Sequence, residues 1–264
     1  MREKLDSLRE YLKARGSVAV AFSGGVDSSF LLKVAHDLLG DGAVAVTVGA
    51  CVVPGRELDG AASFCAGEGI RQLSLTADLL AVPEFRANPK DRCYICKKRL
   101  FSQIVALARQ NGITTVCEGS NADDCGDYRP GMKAIAELGV ESPLLACGLH
   151  KDEIRTLSKD LGLPTWDKPS LACLASRFPY GEEITEAGLG MVGGAEQLLH
   201  DMGFSQVRVR IHGGTLARIE LEGRDMEAAF AKRGLILEGL RKLGFSYVAL
   251  DLQGYRTGSM NEVI

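Results

Sequence analysis

Three groups of residues in the chain have types and spacings that could do chemistry. They are the loop Ser23-Gly24-Gly25-Val26-Asp27-Ser28-Ser29, the pair Cys93 and Cys96, and the pair Arg208 and Arg210. Glycines let a backbone turn with its N–H groups inward, and serines add hydroxyl donors, so the loop could bind phosphate. Cysteine thiolates bind metals, and paired arginines bind phosphate or carboxylate. The sequence therefore favours chemistry on anionic substrates, and the cysteine pair adds a candidate metal site.

The loop from Ser23 to Ser29, here called the phosphate loop, lies between a predicted strand and a predicted helix. Val18 to Phe22 is an apolar run typical of a buried strand, and apolar residues then recur at helical spacing from Phe30 to Leu38. A helix N-terminus supplies partial positive charge to an anion. Because the loop lacks the GxxxxGK[ST] pattern of a Walker A loop and its lysine, we expect a different kind of nucleotide site.

Strands and helices alternate along the first two thirds of the chain. Strands are predicted at Val18–Phe22, Ala43–Val48, Arg71–Leu75 and Thr114–Cys117, and helices at 56–68, from the cysteine pair to Ala108, and at 149–161. This alternation predicts an α/β fold with a doubly wound parallel sheet, whose ligand lies at the carboxyl ends of the strands. The segment after Val48 should then lie near the adenine and ribose of a nucleotide.

The pattern changes at about Thr185 and predicts a second, smaller domain. Its elements are a helix at Glu186–Met202, strands at Val207–Ile211 and Leu216–Leu221, a helix at Met226–Leu243 and a strand at Tyr247–Leu252. We therefore predict a first domain over residues 1–184 and a C-terminal α+β domain over residues 185–264, which would bind the substrate. Arg208 and Arg210 are two apart on one strand and share a face, where they would recognise an anion rather than form an exposed charged surface.

Composition predicts a globular protein of the cytoplasm. The 264 residues are 46% apolar, and 31 Lys and Arg against 34 Asp and Glu give a net charge of −3. No broad basic field would attract nucleic acid, so we expect no nucleic-acid partner. The charged N-terminus, with Leu5, Leu8 and Leu12 on one helical face, is unlike a signal peptide. No apolar run approaches the roughly 20 residues that span a bilayer, so we expect no membrane association.

The Cys93-x-x-Cys96 pair lies at the first turn of a predicted helix. That helix end and the nearby Arg92, Lys97 and Lys98 favour thiolates, the form that binds metals. The chain has eight cysteines. In a reducing cytoplasm we expect buried thiols, metal ligands or catalytic groups rather than disulfides.

Two later loops have the composition of functional loops. The polar run Glu118–Asp124, continued by Asp127–Gly131, follows the fourth predicted strand, where side chains would line a site. The segment Trp166–Gly181 carries the only tryptophan and is punctuated by proline and glycine. Both loops are therefore candidates for the site.

The SGGVDSS sequence of the phosphate loop resembles the signature of the PP-loop ATP pyrophosphatases. Members of this superfamily split ATP between its α and β phosphates, adenylate a substrate and release pyrophosphate. The resemblance implies a fold like that of the adenine nucleotide α hydrolases, with Asp27 helping to position Mg²⁺. The implied ATP-binding residues are Ser23, Gly24, Gly25, Asp27, Ser28 and Ser29.

Five segments, in order and nearly from end to end, resemble one family of that superfamily. They are CYxCK from Cys93, EGSNADDxxDYRPG from Glu118, WDKPSxACLASRxPYG from Trp166, VRVRxHG from Val207 and GYRTGSMNE from Gly254. Together they look like LarE, the ATP-dependent sulfur transferase that helps to build the nickel-pincer nucleotide of lactate racemase. The resemblance implies that the chain adenylates a carboxylate of pyridinium-3,5-biscarboxylic acid mononucleotide and replaces its oxygen with sulfur.

The resemblance offers two sources of sulfur, and we expect the second of them, a [4Fe-4S] cluster, because this chain has all three of its cysteines. In some family members the cysteine of the PSxAC motif, here Cys173, gives up its sulfur and becomes dehydroalanine. Others hold a [4Fe-4S] cluster on three cysteines, which correspond to Cys93, Cys96 and Cys173 here, and the fourth iron stays open for a sulfide. Zinc or a redox pair at Cys93 and Cys96 is a further alternative. The remaining cysteines, which fit no motif and are interpreted as buried or incidental thiols, are Cys51, Cys65, Cys117, Cys125 and Cys147.

Family analogy also implies roles for residues of the later segments. Arg208 and Arg210 would hold the substrate phosphate or its second carboxylate, and Arg177 and Glu196 would complete an anion and metal site. The family tends to form homo-oligomers, and the sulfide donor is unknown. Two other functions are open: a tRNA thiolase, which the acidic charge balance opposes, and a nucleotide-sensing module without turnover.

Overall fold

The computed structural model describes residues 1–126, 130–169 and 172–256, which form two compact units. The first unit comprises Met1–Leu79 and Asp91–Leu171, and the second comprises Leu80–Lys90 and Ala172–Ile264. Residues 127–129, 170–171 and 257–264 lie outside the described part. They include Asp127, Tyr128 and Arg129 of the DYRPG segment, Ser170 of the PSxAC motif and the end of the GYRTGSMNE segment.

A sheet of four parallel strands forms the centre of the first unit. The strands are β1 (Val18–Ala21), β2 (Ala43–Ala50), β3 (Gln72–Ala77) and β4 (Val116–Cys117), in the order β3-β2-β1-β4. β1 pairs with β2 from Val18 opposite Ala43 and with β4 from Ala19 opposite Val116. All the pairings are parallel, so the carboxyl ends of these strands meet at one edge. The predicted α/β fold with a doubly wound sheet is confirmed.

Helices cover both faces of this sheet. The α-helices of both units, within the described residues, are α1 (Arg2–Lys13), α2 (Val26–Leu39), α3 (Gly55–Glu68), α4 (Pro83–Arg86), α5 (Arg92–Gln110), α6 (Pro130–Glu137), α7 (Pro143–Ala146), α8 (Lys151–Asp160), α9 (Glu186–Asp201), α10 (Met226–Ala231) and α11 (Arg233–Lys242). Side chains alternate across a strand, so Val18 and Val20 of β1 enter one core and Ala19 the other. The first core includes Phe30 of α2, and the second includes Phe101 of α5.

The second unit has a mixed sheet of three strands. β5 (Val207–His212) pairs antiparallel with β6 (Leu216–Leu221), which pairs parallel with β7 (Tyr247–Leu250). The segment Leu80–Lys90 joins this unit through hydrogen bonds. Asn88 Nδ2 donates to the carbonyl of Pro179 at 2.6 Å, and Ile184 N donates to the carbonyl of Arg86 at 2.8 Å. These bonds link segments that are far apart in the chain, and the compact units divide at 79/80, 90/91 and 171/172. The division into a first domain over residues 1–184 and a second over 185–264 stays a prediction.

One predicted element of the second unit is wrong in detail. The predicted helix Met226–Leu243 consists of two helices, α10 and α11, which meet at Lys232. The ψ angle of Lys232 is 9°, and Gly234 follows within the first turn of α11. Glycine is a weak helix former, so local propensity does not oppose the break.

No helix in the described ranges is both long enough and apolar enough to cross a membrane.

Replacing Phe30 by Ala tests how much the packing of helix α2, which follows the phosphate loop, contributes to stability. Phe30 has no exposed surface, so we expect the free energy of unfolding to fall by about 3–5 kcal/mol. Phe230→Ala is the matched control, because Phe230 is 65% exposed and should change that free energy by less than about 0.5 kcal/mol. Urea unfolding followed by circular dichroism measures both. Equal losses for the two variants would contradict the described core.

Candidate functional site

A cavity of about 340 Å³ lies in the first unit at the carboxyl ends of β1 and β2. The phosphate loop contributes Ser23, Gly25, Asp27 and Ser28 to its wall. Its apolar lining consists of Val46, Val48, Val53, Leu58, Leu100, Phe101 and Ile104, together with Ala21 and Phe22. A polar wall beside an apolar wall suits a nucleotide, whose phosphates are charged and whose base is flat and largely apolar. Contact between adenine and the segment after Val48, which supplies part of this lining, stays a prediction.

The phosphate loop turns sharply between β1 and α2. Gly24 has a φ of +69°, in the left-handed region that favours glycine, and Gly25 caps the helix with an extended backbone. The Ser23 and Ser28 hydroxyls lie 3.1 Å apart, and Ser28 Oγ donates to the carbonyl of Gly25 at 3.2 Å. The first N–H groups of a helix have no acceptor within the helix, so this end of α2 can bind an anion.

Asp27 lies at the edge of this cavity, in the first turn of α2. Its carboxylate pairs with the ammonium group of Lys151 and accepts a hydrogen bond from Asn121 Nδ2 at 3.4 Å. Oxygen donors of this kind suit Mg²⁺. The binding of magnesium by Asp27 stays a prediction. Lys151, at the start of α8, was not singled out from the sequence, because nothing local distinguishes it from an exposed lysine on a helix.

The polar segment after β4 lines the cavity in part, through Glu118, Gly119, Ser120 and Asp124. The buried Glu118 carboxylate accepts from Ser120 N at 3.0 Å and from Ser120 Oγ at 2.8 Å, which fixes the loop. A Cβ atom on Gly119 would lie 3.0 Å from Ser28 N, so any side chain there would push the loop and α2 apart by a few tenths of an ångström. The loop therefore borders the phosphate loop.

The neighbouring Asp123 does not line the cavity and instead contacts residues at the start of α8. Its carboxylate contacts His150 Nδ1 at 2.6 Å and accepts from Lys151 N at 2.7 Å. These hydrogen bonds lower the pKa of Asp123, the contact with His150 contributing most. Asp123 thus joins the loop after β4 to the start of α8.

Lys168 is a further residue at the phosphate loop that the sequence did not single out. Its Nζ donates to the carbonyl of Gly24 at 2.9 Å and contacts Glu57 Oε2 at 2.7 Å. The Arg155 guanidinium in turn donates to the carbonyls of Trp166 and Lys168 at 2.7 and 2.8 Å. The WDKPS segment quoted for the resemblance contained Lys168, but only the folded chain shows that it holds the phosphate loop to α3.

The cysteines differ in exposure. Cys93 and Cys96 lie in the first two turns of α5, where Cys93 is exposed and Cys96 partly exposed, and Cys173 is exposed at the start of the short 3₁₀ helix Leu174–Arg177. By contrast, burial raises the pKa of Cys65 to about 11 and that of Cys117 to about 12. Thiolates bind iron, so the accessible cysteines fit a cluster and the buried ones do not.

Among the described residues, no three His, Cys, Asp or Glu side chains are grouped closely enough to hold a metal ion. Cys93 and Cys96 belong to the first unit and Cys173 to the second. The cluster on these three cysteines therefore stays a prediction. Of the cysteines interpreted as buried or incidental, Cys51 is exposed, and the side chain of Cys125 lies outside the described part.

In the second unit, Arg177 and Glu196 form a fully buried ion pair. Arg177 Nε and Nη2 donate to the two Glu196 carboxylate oxygens at 2.6 and 2.8 Å, and Val209 N donates to Glu196 at 2.9 Å. Arg177 Nη1 reaches the carbonyl of Cys173 at 3.3 Å. The pair thereby fastens the backbone of the exposed cysteine. Anion or metal binding by Arg177 and Glu196 stays a prediction.

Arg208 and Arg210 lie beside this ion pair on β5. They are 3% and 5% exposed, so the alternative of an exposed charged face is wrong. Arg210 donates to both carboxylate oxygens of Glu220 at 3.1 and 2.8 Å, and Arg208 lies 5.2 Å from the centre of the Tyr255 ring. Burial and the nearby Arg177 lower the pKa of Arg208. Recognition of a substrate anion by the two arginines stays a prediction.

Comparisons with known proteins found three informative relatives, although no family model matches the chain. An uncharacterized protein of Synechocystis sp. is 42% identical over 100% of this chain and 99% of its own. The pyridinium-3,5-bisthiocarboxylic acid mononucleotide synthase of Lactiplantibacillus plantarum is 38% identical over 96% of this chain and 92% of its own. One subunit of a glutamine-hydrolyzing GMP synthase from Methanoculleus marisnigri is 26% identical over 60% of this chain and 55% of its own.

Replacing Glu196 by Ala should strongly destabilise the second unit. The change leaves the buried Arg177 guanidinium without its carboxylate, and breaking a buried pair costs about 3–5 kcal/mol. Glu186→Ala is the control, because Glu186 lies exposed on the same helix, α9. Thermal unfolding followed by calorimetry measures both variants. A Glu196→Ala protein as stable as the control would show that the ion pair is not a structural element.

Proposed function

Because the chain belongs to the LarE family of the PP-loop ATP pyrophosphatases, we propose that it is an ATP-dependent sulfurtransferase acting on pyridinium-3,5-biscarboxylic acid mononucleotide. In this reaction a carboxylate of the substrate is adenylated and becomes a thiocarboxylate, a step towards the nickel-pincer nucleotide of lactate racemase. The observation that carries the proposal is the 38% identity, over nearly the whole chain, to a synthase named for the bisthiocarboxylic acid product.

The chemistry explains why ATP is needed. A carboxylate is a poor electrophile, because attack by sulfur would have to expel oxide. Transfer of the adenylyl group forms an acyl phosphate anhydride and releases pyrophosphate, and AMP then leaves when sulfur attacks the carbonyl carbon. The residues of the phosphate loop would hold the pyrophosphate through N–H groups and hydroxyls aimed at the developing charge.

Asp27 would hold Mg²⁺, which offsets phosphate charge when bound. Lys151, which is paired with Asp27, would bring a second positive charge towards the same phosphates. Lys168 keeps Gly24 in place through its carbonyl, so that the N–H groups of the loop keep their direction. Side chains from α8, the WDKPS segment and the loop after β4 thus make polar contacts with the phosphate loop.

The second unit would bind the anionic groups of the substrate. Guanidinium groups match phosphate and carboxylate with two parallel hydrogen bonds, which favours Arg208 and Arg210 for this role. Both arginines are buried, and Arg210 is already oriented by Glu220 and by the carbonyl of Ser176. Preorganised donors of this kind bind without a large ordering cost. Arg177 and Glu196 would act beside them by fixing the Cys173 backbone.

The sulfur would come from one of two sources that use the same accessible cysteine. A [4Fe-4S] cluster would be held by Cys93, Cys96 and Cys173 and would supply an open iron for a sulfide. The exposure of all three residues favours this source. The alternative is transfer of the Cys173 sulfur itself, for which the other two cysteines are not needed.

The first test of the proposal is the identity of the ATP products. ATP and the pyridinium nucleotide should yield AMP and pyrophosphate, and Asp27→Ala should slow their formation by about 100-fold or more, because it removes a group at the phosphates. Asp59→Ala on the exposed face of α3 is the control. Ion-exchange chromatography of the nucleotides gives the result. ADP and phosphate as main products would rule out the proposed chemistry.

The second test separates the two sulfur sources. If the cluster supplies sulfide, Cys93→Ala and Cys96→Ala should be as inactive as Cys173→Ala, and the mass of the wild-type protein should stay constant. A sacrificial cysteine would lose hydrogen sulfide and lower the mass by about 34 Da. Intact-mass spectrometry after turnover of anaerobically prepared protein distinguishes them, together with iron and sulfide assays. A stoichiometric mass loss with active Cys93→Ala would overturn the cluster.

A further inference from the structure

Lys97 brings a positive charge to the cavity from the wall formed by α5. It directly follows Cys96, and it is the one lysine or arginine among the described residues that line the cavity. Its Nζ lies 6.0 Å from the centre of the Phe101 ring, which lines the same cavity. The ammonium group therefore lies beside the space that faces the phosphate loop.

Lys97 differs from the other lysines near the phosphate loop in its partners. Lys151 is paired with Asp27, and Lys168 is paired with Glu57. Within residues 1–126, 130–169 and 172–256, no carboxylate is paired with Lys97. A lysine that lines a cavity without a carboxylate partner is available to an anionic ligand.

Gly131, the second residue of α6, permits the path that Lys97 takes. A Cβ atom at this position would lie 3.2 Å from Cε and 2.6 Å from Cδ of Lys97, and the second distance is closer than carbon atoms can approach. It would also lie 3.4 Å from the carbonyl oxygen of Cys93, an acceptable contact. An alanine at position 131 would therefore displace the Lys97 side chain and leave the neighbouring backbone of α5 in place.

We propose that Lys97 binds a phosphate group of ATP and that Gly131 is a positioning residue for this contact. The inference rests on the proposed function, since it takes the cavity to be the ATP site. Because Lys97 adjoins Cys96 and lies one turn from Cys93, the first turns of α5 carry both a nucleotide contact and the paired cysteines. Binding of the nucleotide and placement of these cysteines then depend on the same helix end.

The test uses isothermal titration calorimetry to measure binding of α,β-methylene-ATP. This analogue of ATP cannot be cleaved between its α and β phosphates. Lys97→Ala should weaken its binding by about 10- to 100-fold, the equivalent of one hydrogen bond to a charged group. Adenosine, which has no phosphate, should bind the variant within about twofold of wild type. Arg99→Ala is the matched control, because Arg99 lies exposed on the same helix and does not line the cavity.

Gly131→Ala should weaken binding of the analogue in the same direction while the melting temperature stays unchanged. In the Lys97→Ala protein, Gly131→Ala should change the affinity for the analogue by no more than about twofold. The Lys97 side chain, which the alanine at 131 would displace, is absent there. Gly67→Ala is its control, since nothing lies within 4 Å of a Cβ atom at that position of α3.

Three results would count against the assignment. Wild-type affinity in Lys97→Ala would overturn the phosphate contact. An equal loss of adenosine affinity would show that Lys97 shapes the cavity instead. Independent, additive losses from the two substitutions would overturn the role of Gly131. Failure of the wild-type protein to bind the analogue at all would overturn the proposed function itself, so the two failures are distinguishable.

Discussion

The start of helix α2 leaves its first N–H groups without acceptors inside the helix, and the first unit is arranged around the tight turn that precedes them. A tight turn follows β1, where Gly24 has a positive φ, and glycine at position 119 lets the neighbouring loop lie close to Ser28. The helix behind the turn is anchored by Phe30, which is fully buried. Lys168 donates a hydrogen bond to the carbonyl of Gly24. The loop is therefore fixed by the strand before it, by the helix after it and by this side chain.

The second unit depends on a different constraint, the placement of charge in a dry interior. Removing a guanidinium and a carboxylate from water is costly, and their attraction compensates only with good geometry. Arg177 with Glu196 and Arg210 with Glu220 both have the two-bond geometry that satisfies this condition. Their remaining donors reach the carbonyls of Cys173 and Ser176. Buried ion pairs thus fix the backbone around an exposed thiol, which suits the role proposed for Cys173.

The cost of removing a charge from water also separates the cysteines into buried and accessible ones. In Cys65 and Cys117 burial disfavours the charged thiolate and raises the pKa, so these side chains behave as small apolar groups of the core. Cys93, Cys96 and Cys173 keep contact with solvent, where iron, sulfide or substrate can reach them. Three of the eight cysteines therefore combine a motif position with access, and the proposed sulfur chemistry uses these three.

The sequence by itself determined the parallel α/β sheet, the strand-loop-helix of the phosphate loop and the first-turn position of Cys93, because hydrophobic period and glycine placement act over a few residues. It did not determine that Lys151 and Lys168 would contact the phosphate loop or that Lys97 would line the same cavity. The sequence around a lysine is the same whether its side chain is solvated or paired. Only the folding of the first unit brings Lys168 to Gly24 and Lys151 to Asp27. The break of the helix at Lys232 was likewise not determined by the apolar pattern, which continues through it. Tertiary structure also joined Leu80–Lys90 to the second unit, because hydrogen bonds between distant segments leave no local trace in the sequence.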